Sequence, residues 1–152
     1  MKLIARNRKA NFNFRILDKK EAGVALRGWQ VKSIKSGNVS LNQAYCFIRQ
    51  GELYLRGANI GEWQGMGEFE KQRKDEDIKL LLRKEEIERW DGQIKQQKAT
   101  TIVPLALFLQ RGLIKCELGL AKGAKEFDKR EKKKERDQER DLQRELKGSK
   151  YF

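Results

Sequence analysis

Val39-Ser-Leu-Asn-Gln-Ala-Tyr45-Cys-Phe-Ile-Arg49-Gln-Gly51-Glu-Leu-Tyr-Leu-Arg56-Gly-Ala-Asn-Ile60 is the stretch whose pattern decides the fold. Val39, Leu41, Tyr45 and Phe47, then Leu53 and Leu55, recur at period two around Gln50-Gly51. Period two places alternate side chains on one face of a strand, and two such runs about a Gly-containing turn predict a β-hairpin. Thr100 to Leu109 and Leu113 to Leu118 repeat the pattern around Gln110-Arg111-Gly112, a second hairpin. Pro104 has no N–H for a ladder, so it belongs at an edge or a bulge.

Between the hairpins, Gly61 to Asp77 has no period and reads as a long loop. Ile78 to Leu82 fits either a buried strand or the start of a helix. Lys84 to Gln97 carries Ile87, Trp90 and Ile94 at i, i+3 and i+7 and reads as a helix, slightly weakened by Gly92. On the N-terminal side, Met1 to Asn13 reads as a short basic lead whose Arg6, Arg8 and Lys9 suit phosphates. Phe14, Ile16 and Leu17 begin the globular part. Glu21-Ala-Gly23 reads as a turn, and Val24, Leu26 and Val31 as a strand with Gly28 at a bulge. Val31 to Lys35, closed by Ser36-Gly37, reads as a single helical turn. Short antiparallel strands with one main helix predict a mainly β domain over residues 1–120, an OB-like barrel with peripheral helices. Its expected core includes Val24, Leu26, Phe47, Leu55, Ile87, Val103, Leu105, Leu107 and Leu118.

From residue 121 to 152 the chemistry changes. Between Glu131 and Lys147 the only apolar residues are Leu142 and Leu146. On a helix, Lys129, Lys132, Lys133, Arg136, Arg140, Arg144 and Lys147 fall within roughly one third of the circumference, with Glu131, Glu135, Glu139, Asp141 and Glu145 on the other side. A basic stripe of this kind suits RNA, although a charge run is also what a solvated helix looks like. Lys132 with Arg136 and Glu131 with Glu135 are like-charged at i,i+4 and oppose an isolated helix. The tail is therefore expected to be disordered alone and helical against an anionic surface.

Thirty-five Lys and Arg against twenty-two Asp and Glu give a formal charge of +13. Twelve basic and eight acidic residues in 121–150 account for +4 of it, so both parts are basic. Such a balance implies a polyanionic partner. No transmembrane run, secretory segment or lipidation signal is evident, so no membrane is expected and a cytoplasmic location is. There is no histidine, and Cys46 and Cys116 stand alone. These absences argue against His-based catalysis and Cys or His metal sites. No catalytic residue, metal or cofactor is expected, and both cysteines read as packing.

The ordered stretches Asn7-Arg8-Lys9-Ala10, Glu21-Ala-Gly23, Gly28-Trp-Gln-Val-Lys-Ser33, Lys79-Leu-Leu-Leu82, Gly119-Leu-Ala-Lys-Gly123 and Asp128-Lys-Arg130 resemble the bacterial SsrA-binding protein (SmpB) family and span nearly the whole chain. The resemblance implies a monomeric, non-enzymatic adaptor. Its body would grip the tRNA-like domain of transfer-messenger RNA, and its tail would enter the small ribosomal subunit, against that subunit's RNA, in trans-translation. It carries over Asn7, Glu21, Leu81 and Lys115 as body positions tied to RNA contact and integrity, with Arg8, Lys9 and Lys122 beside them. Asn7 would bond phosphate or base edges, and Leu81 would support the face from the core. In the tail it implies Lys125, Phe127, Asp128, Lys129, Arg130, Lys132, Lys133, Arg136, Arg140 and Arg144 at the messenger channel and decoding centre. The chain departs from the pattern at Phe12, Gln30, Ala124 and Phe127.

Two other readings stand beside this one. A general OB-type single-strand or ribosome-associated binder would stack bases on Tyr54, Trp63 and Phe69. A metal-dependent nuclease would use Asp75, Glu76 and Asp77, a cluster that also fits a solvated turn.

Overall fold

A computed structural model describes residues 1–123. Lys125, Phe127 to Arg130, Lys132, Lys133, Arg136, Arg140 and Arg144, and the expected tail helix, lie outside the described residues. The elements are β1 (Lys2–Arg6), α1 (Ala10–Asn13), β2 (Phe14–Val24), α2 (Gly28–Lys35), β3 (Val39–Ser40), β4 (Tyr45–Arg49), β5 (Glu52–Arg56), β6 (Asn59–Ile60), α3 (Glu68–Gln72), β7 (Ile78–Leu81), α4 (Lys84–Gln96), β8 (Thr100–Gln110) and β9 (Leu113–Gly123). One antiparallel sheet runs β1-β8-β4-β5-β7-β2-β9 and closes on itself where β8 pairs with β9. β3 and β6 form a separate two-stranded ribbon. The result is the expected OB-like barrel with helices outside it.

Both hairpins form with two-residue turns. Gln50 and Gly51 have φ of 52° and 77°, and Arg111 and Gly112 have 52° and 78°. Two successive left-handed residues match the twist of the flanking strands, and glycine second removes half of the steric cost. The first hairpin is phased differently from expectation. Its register pairs Cys46 with Leu55 and Ile48 with Leu53 on one face, and Phe47 with Tyr54 on the other. Cys46, Leu53 and Leu55 are buried in the core, whereas Tyr45, Phe47 and Tyr54 share the outer face. Both faces are apolar here, so the period identifies the strands without identifying the inside. Phe47 is the one expected core residue thereby placed outside; Val24 and Leu26 are half-buried against the core.

Three N-terminal expectations are corrected. The basic lead begins as strand β1, paired with β8, because Leu3 and Ala5 face apolar residues of that strand. Glu21-Ala-Gly23 is strand interior and not a turn, with Glu21 opposite Glu117 and Gly23 opposite Lys115. Gly23 also meets Leu81 of β7, and a Cβ there would stand 3.3 Å from Leu81. The glycine allows close approach at the point where β2 passes from one partner to the other. Gly28 opens a two-turn helix, and no bulge forms. Arg27 N–H donates to Gln30 Oε1 at 2.7 Å, satisfying a donor at the helix start. Gln30 therefore does with an amide what a carboxylate does in a capping box.

Ile78–Leu81 is a strand, Lys84–Gln96 is the expected helix, and Pro104 lies at a register shift in β8. The loop from Gly61 to Asp77 holds only the short α3. Trp90 of α4 is fully buried, and its indole N–H donates to Asp18 Oδ2 on β2 at 2.9 Å. A second small core, Ala10, Val103, Leu105 and Ala121, forms where α1 covers β8 and β9.

Candidate nucleic-acid interface

The register brings several expected body positions onto one outer face. Leu81, Gly23, Lys115, Phe108 and Leu3 form one row across β7, β2, β9, β8 and β1. Glu21, Glu117, Ala106 and Arg6 form the next. Leu81 and Lys115 are thus joined through Gly23, two residues along β2 from Glu21. Leu81 is 51% exposed, which corrects its expected place in the core. It is a surface apolar group on the same row as the Lys115 cation. Glu21 stands exposed opposite Glu117, an unfavourable like-charged pair. Lys19 Nζ approaches Glu117 at 3.9 Å and relieves part of it.

Asn7 is placed otherwise than expected. It is buried, its Nδ2 donates to the Pro104 carbonyl at 2.9 Å, and its backbone N–H donates to Leu105 at 2.8 Å. Pro104 sits at the β8 bulge, where the ladder is interrupted and its carbonyl accepts from the asparagine. Asn7 therefore pins the β1–α1 elbow and leaves Arg8 and Lys9 exposed on it. Its Oδ1 is buried and has no donor among the described residues. It borders an open depression of about 360 Å³ with Arg6 and Lys19 on its rim. Lys122 is exposed near the end of β9, opposite Arg15 and Thr100, away from the Leu81 row.

Two of the three carboxylates suggested for a nuclease, Glu76 and Asp77, are engaged by arginines. Arg27 Nη2 lies 3.0 Å from Glu76 and Arg73 Nε 3.5 Å, while Arg56 makes a two-point contact with Asp77 at 2.7 and 2.8 Å. The Arg56 bonds hold the Asp77 carboxyl below its ordinary range. Among the described residues no three His, Cys, Asp or Glu side chains come together as metal ligands. The proposed stacking rings are also partly covered. Arg73 lies 4.2 Å over Phe69, and Arg49 4.8 Å over Tyr54, whereas Trp63 is 38% exposed. Burial pushes the Cys116 thiol up to about 12 and raises Cys46 well above its usual value, with Cys116 nearby adding to the latter. Both stay protonated and pack as apolar groups. Sequence reading missed the arginines laid on the β4–β5 aromatics; their shared strand parity was the available signal.

Comparison with known proteins agrees along the chain. A family profile described as SmpB protein matches residues 4–148. An SsrA-binding protein of Cupriavidus taiwanensis is 44% identical over 147 residues, covering 97% of this chain and 98% of the relative. One from Trichodesmium erythraeum is 42% identical over 130 residues, 86% and 83% of the two chains. A solved chain, described as "tmRNA-SmpB: a journey to the center of the bacterial ribosome", superposes with a TM-score of 0.64 and 36% identity, covering 83% of this chain and 91% of that one.

Proposed function

This chain belongs to the SmpB family, and from that premise we propose how its parts divide the work. It is a tmRNA-binding adaptor of trans-translation, with tmRNA and the ribosome as partners. The observation that carries this is a match to SsrA-binding proteins over almost the whole of both chains, on a barrel of the same fold. The body, residues 1–123, grips the tRNA-like domain through Leu81, Lys115 and Glu21, with Arg8 and Lys9 supplying charge beside them and Lys122 meeting RNA separately, near the end of β9. Asn7 acts by holding the elbow that displays Arg8 and Lys9. The residues after 123 occupy the empty messenger channel and decoding centre. No covalent step is needed, so the protein works without catalysis, as a cytoplasmic monomer. None of the described helices is long and apolar enough to cross a membrane.

Leu81→Ala and Lys115→Ala test the grip. Each side chain lies on the outer face, so thermal stability should move by no more than about 0.5 kcal/mol. Affinity for tmRNA should fall roughly tenfold in each case, or about 1.4 kcal/mol. Loss of Lys115 should also reduce the salt slope by about one contact. Unchanged tmRNA affinity in both variants would remove this face from the interface.

A further inference from the structure

The loop from Gly61 to Asp77 runs against the charge of the chain. Six acidic residues against three basic leave it at −3 within a chain of +13, and residues 61–70 hold Glu62, Glu68 and Glu70 with no Lys or Arg among them. The same stretch exposes two large apolar side chains, Trp63 at 38% and Phe69 at 58%. The loop is tied down at both ends. Ser33 Oγ of α2 donates to the Gly61 carbonyl at 2.6 Å, and Arg27, just before α2, reaches Glu76 at 3.0 Å. Between these ties the Trp63 N–H donates to Met66 Sδ and the Met66 N–H to the Trp63 carbonyl, each at 3.1 Å, while Met66 is itself buried in the core. Trp63 thus stands on a turn anchored from below. It borders an open depression of about 290 Å³ against α2, lined also by Trp29 and Met66, with Glu70 on the loop side and Lys32 on the helix side. The indole N–H of the buried Trp29 has no acceptor among the described residues.

We propose that this acidic, aromatic loop is a docking surface for a basic protein segment, rich in Lys or Arg and separate from the RNA grip. The inference goes beyond the adaptor reading and does not depend on it. The loop already uses the chemistry required, because Arg73 lies 4.2 Å over the Phe69 ring. Trp63 has no such cation among the described residues, and an indole face is the best aromatic partner for an ammonium or guanidinium. Glu62 is paired with Lys74 at 3.2 Å, and Glu70 accepts from the Gly67 N–H at 3.4 Å. Glu68 is exposed and has no cation beside it among the described residues. A segment carrying several cations can therefore meet the Trp63 face and the Glu68 carboxylate in one loop, and Lys32 keeps it to the loop side of the depression. Charge selects the class of partner. Phosphates would meet Glu62, Glu68 and Glu70 without a cation of that stretch to hold them, and an acidic peptide would meet the same repulsion.

The test titrates a fluorescent Arg-Gly repeat peptide onto the RNA-free full-length chain. The peptide should bind although chain and peptide share a positive net charge. Trp63→Ala should weaken it roughly tenfold, as expected for an aromatic anchor, and Glu68→Gln by about threefold. Glu88→Gln, at an exposed carboxylate of α4, should leave it within about twofold. Trp63→Phe keeps a ring of weaker face and should fall between wild type and alanine; as the gentler change it preserves the test if the alanine variant folds poorly. Affinity of both Trp63 variants for tmRNA should stay within about twofold of wild type. No peptide binding, or peptide affinity unchanged in both Trp63 variants, overturns the proposal. So does an equal loss toward tmRNA, which would assign the loop to RNA, or displacement of the peptide by spermidine at equal charge, which would make the ligand a small organic cation. Peptide binding that appears only in a chain ending at Gly123, where β9 is complete, also overturns it, because the chain's own basic tail would then be the occupant.

Discussion

A chain that ends at Gly123 will bind tmRNA nearly as tightly as the full-length protein and will fail to support tagging on stalled ribosomes. The cut is placed by the end of β9. Gly123 pairs with Phe14 and its N–H donates to Ala99 at 2.8 Å, and Ala121 is fully buried in the small core under α1. Ending the chain at residue 120, where composition alone divides it, would strip that core and confuse a folding defect with a binding one. The removed residues hold eleven basic and eight acidic side chains and take +3 of the +13 charge with them, so long-range attraction falls while every body contact remains. The dissociation constant for tmRNA should therefore rise less than about threefold, or roughly 0.7 kcal/mol. Tagging in a reconstituted translation reaction should be lost. A collapse of tmRNA affinity on truncation would contradict this division of labour.

The second large effect concerns the fold. Trp90→Ala should cost about 3–5 kcal/mol in urea unfolding, the usual range for emptying a large buried site. Trp90 is fully buried and ties α4 to β2 through Asp18, so the substitution both opens a cavity and removes that tie, while the exposed Asp18 keeps the Lys19 N–H and water. With domain stabilities of about 5–15 kcal/mol, much of the folded population is at stake at physiological temperature. Trp90→Phe keeps most of the packing and loses the indole donor, so its cost should be nearer 1–3 kcal/mol. A cost below about 1 kcal/mol for the alanine variant would mean that the site collapses around the loss and that α4 is not the element locking the barrel.

Much of this architecture was legible in the sequence because each signal was local. The two hairpins, α4 and the bulge at Pro104 follow from alternation, helical spacing and a missing N–H. What was hidden depended on partners far along the chain. Glycine at 23 signals a turn locally, yet here it allows Leu81 to approach within a strand. Gly28 signals a bulge, yet the side-chain acceptor of Gln30, two residues on, caps Arg27 and makes it a helix start. The face of the first hairpin was misassigned because both of its faces are apolar, and only pairing decides which turns inward. The candidate site was legible as residue types and illegible as roles. Asn7 reads as a surface donor until Pro104 is seen to need it, and Leu81 reads as core until β7 is placed with that side chain outward.

Competition binding tests the central claim most directly. Full-length protein would be titrated at physiological salt against a structured fragment carrying the tRNA-like domain of tmRNA and an unstructured RNA of equal length. The account predicts that the structured RNA wins by about two orders of magnitude or more, a gap of roughly 2.7 kcal/mol. Charge alone cannot supply such a gap between RNAs of equal phosphate number. Equal affinities with equal salt slopes would contradict it, and would leave a basic barrel that binds single strands without choosing among them.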